Sequence, residues 1–116
     1  MSINSRAKGA RGEREFANYL KEKGYSARRG QQFAGGSNSP DVVCDSLPFF
    51  HIEVKSTEKF NLFKALEQAR RDNPSKLSLV AHRKKGKEWS ITMYGDEFFN
   101  FFKDYLNGPK NQAESL

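Results

Sequence analysis

Two carboxylates and a lysine lie close together along a predicted pair of strands. Asp41 opens the first strand, and Glu53 and Lys55 stand two residues apart in the second. Because strand side chains alternate between two faces, Glu53 and Lys55 share one face. If the strands form a hairpin, Asp41 projects towards Glu53 where the strands diverge. Carboxylate oxygens of this kind, with waters completing the shell, suit Mg²⁺ or Mn²⁺ rather than zinc.

A third carboxylate lies on the predicted N-terminal helix. Glu13 falls on the same helical stripe as four apolar residues, Ala10, Phe16, Ala17 and Leu20. Its side chain is therefore expected to point at the core or its rim. Glu15 lies on another face of the helix and is predicted to be solvated. Glu13 thus joins Asp41 and Glu53 as a candidate metal ligand.

These groups together could hydrolyse a phosphodiester. The carboxylates would hold a metal that activates a water, and a positive charge would stabilise the pentavalent phosphate and the leaving oxygen. Surrounded by carboxylates, Lys55 is expected to remain charged, which favours electrostatic stabilisation over a role as a base.

Each residue also has a purely structural interpretation. Glu53 and Lys55 could form an ordinary ion pair on an exposed strand. Asp41 could be a turn residue following a proline. Glu13 could pair with Arg14 or Arg29. The sequence alone leaves these alternatives open.

The elements that would position the site follow from hydrophobic periodicity and from turn residues. The pattern predicts a helix over 7–23, strands over 25–29, 41–44 and 49–56, a helix capped by Asn61 through Asp72, strands over 77–82 and 89–94, and a helix from Asp96 through Leu106. Residues 30–40 form a predicted mobile loop, and Gly108-Pro109 is expected to stop the last helix. The predicted fold is α/β, with a mixed five-stranded central sheet flanked by helices. We expect one domain over 1–109 and a flexible tail over 110–116.

Composition narrows the class of protein. The 116 residues carry a formal charge of +6, and the isoelectric point is near 9.6, as expected for a protein that binds a phosphate backbone. The longest apolar run is far shorter than the roughly 18 residues that span a bilayer. With Cys44 alone no intrachain disulfide can form, so we predict a buried, inert thiol and a cytoplasmic location, or the host cytoplasm if the source is a virus.

Two stretches resemble a known nuclease family. Pro40-Asp41, followed after a gap by Ile52-Glu53-Val54-Lys55, matches the pattern of the PD-(D/E)XK nuclease superfamily. The opening stretch from Lys8 to Glu15, with Gly24-Tyr25 and the strand containing Arg28 and Arg29, is similar to the start of archaeal-type Holliday junction resolvases. The motif-level resemblance spans about residues 6–57, and element order extends it to Tyr94.

The resemblance implies a restriction-endonuclease-like fold and a set of functional residues. The catalytic set would be Glu13, Asp41, Glu53 and Lys55, and the metal site Glu13, Asp41, Glu53 and Val54. DNA-binding residues would be Lys8, Arg11, Arg14, Arg28, Arg29 and Ser56. The implied cofactor is Mg²⁺, for which Mn²⁺ can substitute, and the implied substrate is a four-way DNA junction cut by a symmetric dimer. Alternatives are a related nuclease acting on linear or flapped DNA and a non-catalytic nucleic-acid-binding module.

The last helix carries more aromatic surface than one sheet-facing stripe requires. These residues are Phe98, Phe99, Phe101, Phe102, Tyr105 and Leu106. We predict that part of this surface forms the dimer interface, the alternative being that Phe101 packs under the C-terminal tail. Among the remaining candidates, His51 is predicted to be a packed or rim histidine, His82 part of a solvated basic turn, and Trp89 a core residue.

Overall fold

The computed structural model describes residues 2–30 and 39–114 of the chain, with side chains described over 7–30 and 39–107. In chain order the elements are α1 (Ser2–Glu22), β1 (Ala27–Arg29), β2 (Val42–Cys44), β3 (Phe50–Lys55), α2 (Leu62–Asp72), β4 (Leu77–His82), β5 (Ser90–Thr92) and α3 (Gly95–Glu114). None of the helices in the described ranges is long and apolar enough to cross a membrane.

The five strands form one mixed sheet in the order β1-β2-β3-β4-β5. Neighbouring strands are antiparallel except β3 and β4, which run parallel with Glu53 opposite Val80. A parallel pair needs a crossover connection, and α2 supplies it. The predicted mixed five-stranded sheet and the β2–β3 hairpin are confirmed.

Helix α1 covers one face of the sheet with the stripe predicted from its sequence. Phe16, Ala17 and Leu20 are buried against Ile52 and Val54 of β3. Two further predictions are confirmed on this face. The ring of Trp89 packs edge-on against Phe16, with 4.9 Å between centroids, and the Cys44 thiol is buried.

Helix α2 covers the opposite face. Its Ala65 and Leu66 form a second apolar cluster with Val80 of β4, whose side chain points away from α1 because strand residues alternate. The backbone N–H of Lys64 donates to the side-chain oxygen of Asn61 at 3.0 Å, which confirms the predicted cap. The central strand β3 is therefore covered on both faces, so any polar side chain on it is withdrawn from water.

The predicted ends of the first and last helices are wrong. Helix α1 begins at Ser2 rather than near Ala7, and α3 continues through Gly108-Pro109 to Glu114. Proline lacks an N–H and so removes one helical hydrogen bond, but the remaining bonds of the ladder can still form. Within the described chain, the predicted tail is thus helical as far as Glu114. The predicted mobile loop lies mostly outside the described residues, since 31–38 are not described.

The predicted environment of His82 is also wrong. Its ring is half-buried rather than solvated, and Nε2 lies 2.8 Å from the Thr92 hydroxyl across the β4–β5 pair. The sequence pattern placed His82 in the basic turn because Arg83 follows it. In the structure it is the last residue of β4, where cross-strand pairing draws it inward.

Candidate active site

Glu13 lies at the inner face of α1, as its position on the apolar stripe predicts. The residue is only 9% exposed, and its Oε1 accepts a hydrogen bond of 3.0 Å from Nε of Arg29 on β1. Of the two structural partners considered from the sequence, the structure shows Arg29. Glu15 is not simply solvated, because it accepts a bond of 2.9 Å from Arg83.

A glycine next to Glu13 allows α1 to approach the end of β3 closely. A Cβ added at Gly12 would lie 2.7 Å from the Cβ of Ser56, closer than two carbon atoms pack. The predicted DNA-binding residue Ser56 therefore contacts α1 directly. This close approach brings the carboxylate of Glu13 towards the end of the strand that carries Glu53 and Lys55.

The backbone around Asp41 is held on both sides. Its N–H donates to the carbonyl of Ile52 at 2.9 Å, and its carbonyl accepts from the N–H of Gly30 at 2.8 Å. The side-chain Oδ2 accepts a bond of 2.8 Å from the N–H of Val54. Because Val54 separates Glu53 from Lys55, this bond holds the Asp41 carboxylate beside both residues.

Gly30 is expected to be essential for this arrangement. A Cβ at this position would overlap the carbonyl oxygen of Pro40, which is backbone and cannot rotate away. Gly30→Ala should therefore displace the Pro40-Asp41 segment, lower the free energy of unfolding by roughly 1–3 kcal/mol and weaken cleavage. Urea denaturation measures the first effect. Gly9→Ala on α1, where a Cβ meets nothing within 4 Å, is the matched control and should not destabilise. Equal free energies of unfolding for Gly30→Ala and Gly9→Ala would contradict the requirement for glycine at position 30.

Glu53 and Lys55 occupy the central strand as the alternation predicts. Glu53 is only 4% exposed, whereas Lys55, at the end of β3, is half-buried. The apolar face of the strand, including Ile52 and Val54, packs towards α1. A charged residue in such a strand needs compensation from its neighbours.

The electrostatics show that the three carboxylates and the lysine are close enough to interact. Burial and then the charge of Asp41 raise the pKa of Glu13, while Arg29 and Lys55 oppose that rise. Burial, then Asp41 and Asp72, raise the pKa of Glu53 to about 8, against an ordinary value of 4.5, and Lys55 opposes this rise too. The structure thus brings together the four residues of the predicted catalytic set.

This donor set fits a hard divalent cation. Glu13, Asp41 and Glu53 supply carboxylate oxygens only, the ligand type that Mg²⁺ and Mn²⁺ prefer. Burial and the nearby charge of Asp41 raise the pKa values of Glu13 and Glu53, and a bound cation would offset both effects by favouring the ionised carboxylates. Arg29 partly neutralises Glu13 and is the group that such a cation would compete with.

The predicted DNA-binding residues fall into two groups. Lys8, Arg11 and Arg14 are exposed along α1. Arg28 and Arg29 on β1 are engaged within the protein, Arg28 with Asp45 at 3.0 Å and Arg29 with Glu13. A guanidinium has five N–H donors, so each retains capacity for a phosphate.

Asp72 was not predicted from the sequence, whereas the prediction that His51 is a packed histidine is confirmed by its burial. His51 is 1% exposed, and its Nε2 lies 3.8 Å from Oε2 of Glu53. Burial, as the largest cause, lowers the pKa of His51. Asp72 ends α2, and its charge raises the pKa of Glu53. No spacing in the sequence connects Asp72 to β3, because the contact arises from how α2 crosses the sheet.

Comparisons with known proteins identify the family and support the fold. A family model described as archaeal Holliday junction resolvase (Hjc) matches residues 4–104. The fold is similar to the structure of Archaeoglobus fulgidus Hjc, described as a Holliday junction resolvase from an archaeal hyperthermophile, with a TM-score of 0.53 and 24% identity over 74% of this chain and 72% of that one. No curated protein matches the chain significantly. The match to the family model covers all four residues of the catalytic set.

Proposed function

The chain belongs to the archaeal Holliday junction resolvase family, and from this membership we propose that it is a Mg²⁺-dependent endonuclease that cuts four-way DNA junctions by phosphodiester hydrolysis. The observation that carries the proposal is the meeting of Glu13, Asp41, Glu53 and Lys55 at one end of β3. These residues come from α1, from the start of β2 and from β3 itself.

Glu13, Asp41 and Glu53 are the side chains that would hold the metal, together with the backbone at Val54. A bound divalent cation supplies Lewis-acid polarisation of the phosphate and lowers the pKa of a water. Glu13, Asp41 and Glu53 would orient such a water towards phosphorus. The hydrogen bond from the N–H of Val54 to Asp41 keeps one ligand in place before substrate arrives.

Lys55 is the positive charge on β3 that is available to stabilise developing negative charge. It opposes the rise in the pKa of both Glu13 and Glu53 electrostatically, so its ammonium lies near these carboxylates. When water attacks phosphorus and the bond to the leaving oxygen breaks, this ammonium stabilises the added charge. A fixed positive charge in a partly dehydrated site contributes more to this stabilisation than the same charge in water.

Cleavage of labelled DNA in defined metals tests the function. We expect paired nicks in a four-way junction with Mg²⁺ or Mn²⁺, slower cutting of linear duplex and flap, and binding without efficient cutting in Ca²⁺, which takes longer bonds and a looser shell. Equal cutting of linear DNA would favour the broader nuclease function. Binding with no cutting in any metal would favour the non-catalytic module.

The exposed basic residues of α1 should make DNA binding depend steeply on salt. Arg14→Ala is expected to flatten the slope of log K against log salt by about 0.9 if one phosphate contact is lost. Lys103→Ala, an exposed cation on α3, is the matched control and should leave the slope unchanged. Fluorescence anisotropy over a salt series measures both. Parallel slopes for Arg14→Ala and wild type would remove Arg14 from the DNA surface.

We further propose that the enzyme is a symmetric dimer built on α3. Phe101 packs against Phe49 and Phe50, with centroids 5.3 and 5.2 Å apart, and so serves the fold. Five apolar neighbours remain exposed: Phe98, Phe99, Phe102, Tyr105 and Leu106. Aromatic residues are favoured at the centre of interfaces, and two sites suit a junction in which two equivalent strands are cut.

The dimer can be tested at one of the most exposed rings of α3. Phe99 is 65% exposed, and Phe99→Asp is expected to weaken dimerisation at least about tenfold, as a residue at the centre of an interface does. Phe63→Asp on α2, where the ring is 74% exposed, is the matched control and should leave the dimer intact. Sedimentation equilibrium at micromolar concentration measures both. A monomeric wild type would refute the dimer.

A further inference from the structure

A second cluster of side chains adjoins the catalytic set, and two of its three members have no role in the proposed reaction. It consists of His51 and Glu53 on β3 and Asp72 at the end of α2, and one potential ligand atom from each lies within 4.8 Å of the others. His51 and Glu53 are on the same face of the strand, which is the face that α2 covers. Only Glu53 is shared with the catalytic set.

Four buried polar atoms of this cluster lack hydrogen-bond partners. Among the described residues, the buried atoms without one include both ring nitrogens of His51, Oε2 of Glu53 and Oδ2 of Asp72. The His51 side chain is 0% exposed and that of Glu53 is 5% exposed. Burying polar atoms without partners is unfavourable, so these three side chains, whose free atoms lie close together, favour a shared ligand.

The chemistry of the three groups favours a cation. When both carboxylates are ionised they only accept hydrogen bonds, and a neutral imidazole has one donor nitrogen and one acceptor. A water molecule has two protons and cannot satisfy all of these acceptors at once. A metal ion accepts electron pairs from two carboxylates and one imidazole together. A cation that binds here would displace the proton that Glu53 holds below about pH 8.

We propose that His51, Glu53 and Asp72 bind a divalent transition-metal ion such as Zn²⁺. One nitrogen and two carboxylate oxygens form a ligand set that zinc uses with a water in the fourth position. Bonds of about 2.1 Å to a tetrahedral ion place two ligand atoms roughly 3.4 Å apart, and His51 Nε2 and Glu53 Oε2 are already 3.8 Å apart. The imidazole distinguishes this site from the all-oxygen set of Glu13 and Asp41.

The position of the cluster gives an ion a path to the site and links the site to the orientation of Glu53. Asp72 is half-buried at the end of α2, so an ion can reach the site from that side. Because Glu53 belongs to both sites, an ion held by His51 and Asp72 would orient the carboxylate that faces Asp41. Binding of an ion at His51 does not depend on whether the protein cleaves DNA.

The two histidines of the chain make the test direct. In the full chain labelled with ¹⁵N-histidine, titration with Zn²⁺ is expected to shift a ring nitrogen of His51, saturating at one ion per chain, and to leave His82 unchanged. Asp72→Asn should weaken this binding at least about tenfold, whereas Asp104→Asn, an exposed carboxylate on α3, should not. Asp41→Asn should retain the His51 shift, which separates this site from the catalytic one. Unchanged His51 resonances, a shift confined to His82, or equal affinity in Asp72→Asn would overturn the proposal, whatever the cleavage assay shows.

Discussion

Asp41→Asn, Glu53→Gln, Lys55→Ala and Glu13→Gln are each expected to lower the rate of junction cleavage at least about 100-fold. The first, second and fourth remove a carboxylate that would hold the metal, and the third removes the charge that stabilises the transition state. Asp41 carries an additional role, because its Oδ2 also accepts from the N–H of Val54. Single-turnover cleavage of a labelled four-way junction measures the chemical step.

Measuring junction binding by these variants distinguishes a loss of catalysis from a loss of the folded structure. Each variant is expected to bind the junction within a fewfold of wild type, since the exposed cations of α1 are unchanged. Glu67→Gln is the matched control, because Glu67 is an exposed carboxylate on α2, outside the catalytic set. It should cut at nearly the wild-type rate. Near-wild-type turnover in Glu53→Gln would refute the active-site assignment.

The second large expected effect is that Glu53→Gln, although it inactivates the enzyme, raises the free energy of unfolding. The pKa of Glu53 is raised from 4.5 to about 8, so the folded chain holds a proton that the unfolded chain releases at lower pH. The free energy of unfolding should therefore fall between about pH 4.5 and pH 8, by up to about 1.4 kcal/mol per pH unit. Glutamine cannot ionise, and Glu53→Gln should remove this loss.

Urea denaturation without divalent cations, from pH 4.5 to pH 9, measures the difference between Glu53→Gln and wild type. That difference should grow with pH and level off near pH 8, with the variant the more stable. The groups that surround Glu53 are Asp41, Asp72, Lys55 and His51, and all are present in both proteins. Glu67→Gln, an exposed carboxylate on α2, should show no such growth. A difference that does not change with pH would mean that Glu53 ionises freely in the folded chain.

Local periodicity in the sequence was sufficient to predict much of the candidate site. Alternation along β3 put Glu53 and Lys55 on one face, the helical stripe put Glu13 against the sheet, and Asn61 marked the start of α2. The mixed sheet also followed, because a helix between two predicted strands implies a parallel pair, whereas a short turn implies a hairpin. These features depend on residues a few positions apart, where backbone geometry determines which side chains share a face.

Only the tertiary structure decided which distant groups meet. Arg29 rather than Arg14 pairs with Glu13, because β1 pairs with β2 beside α1. Asp72 reaches Glu53 because α2 crosses the sheet so that its last turn ends near the central strand. The N–H of Gly30 bonds to Asp41 across 11 positions of sequence, in a backbone approach that excludes a side chain. Periodicity assigns a face to each residue, but crossing angles and strand register determine its neighbours, and these depend on the packing of the whole chain.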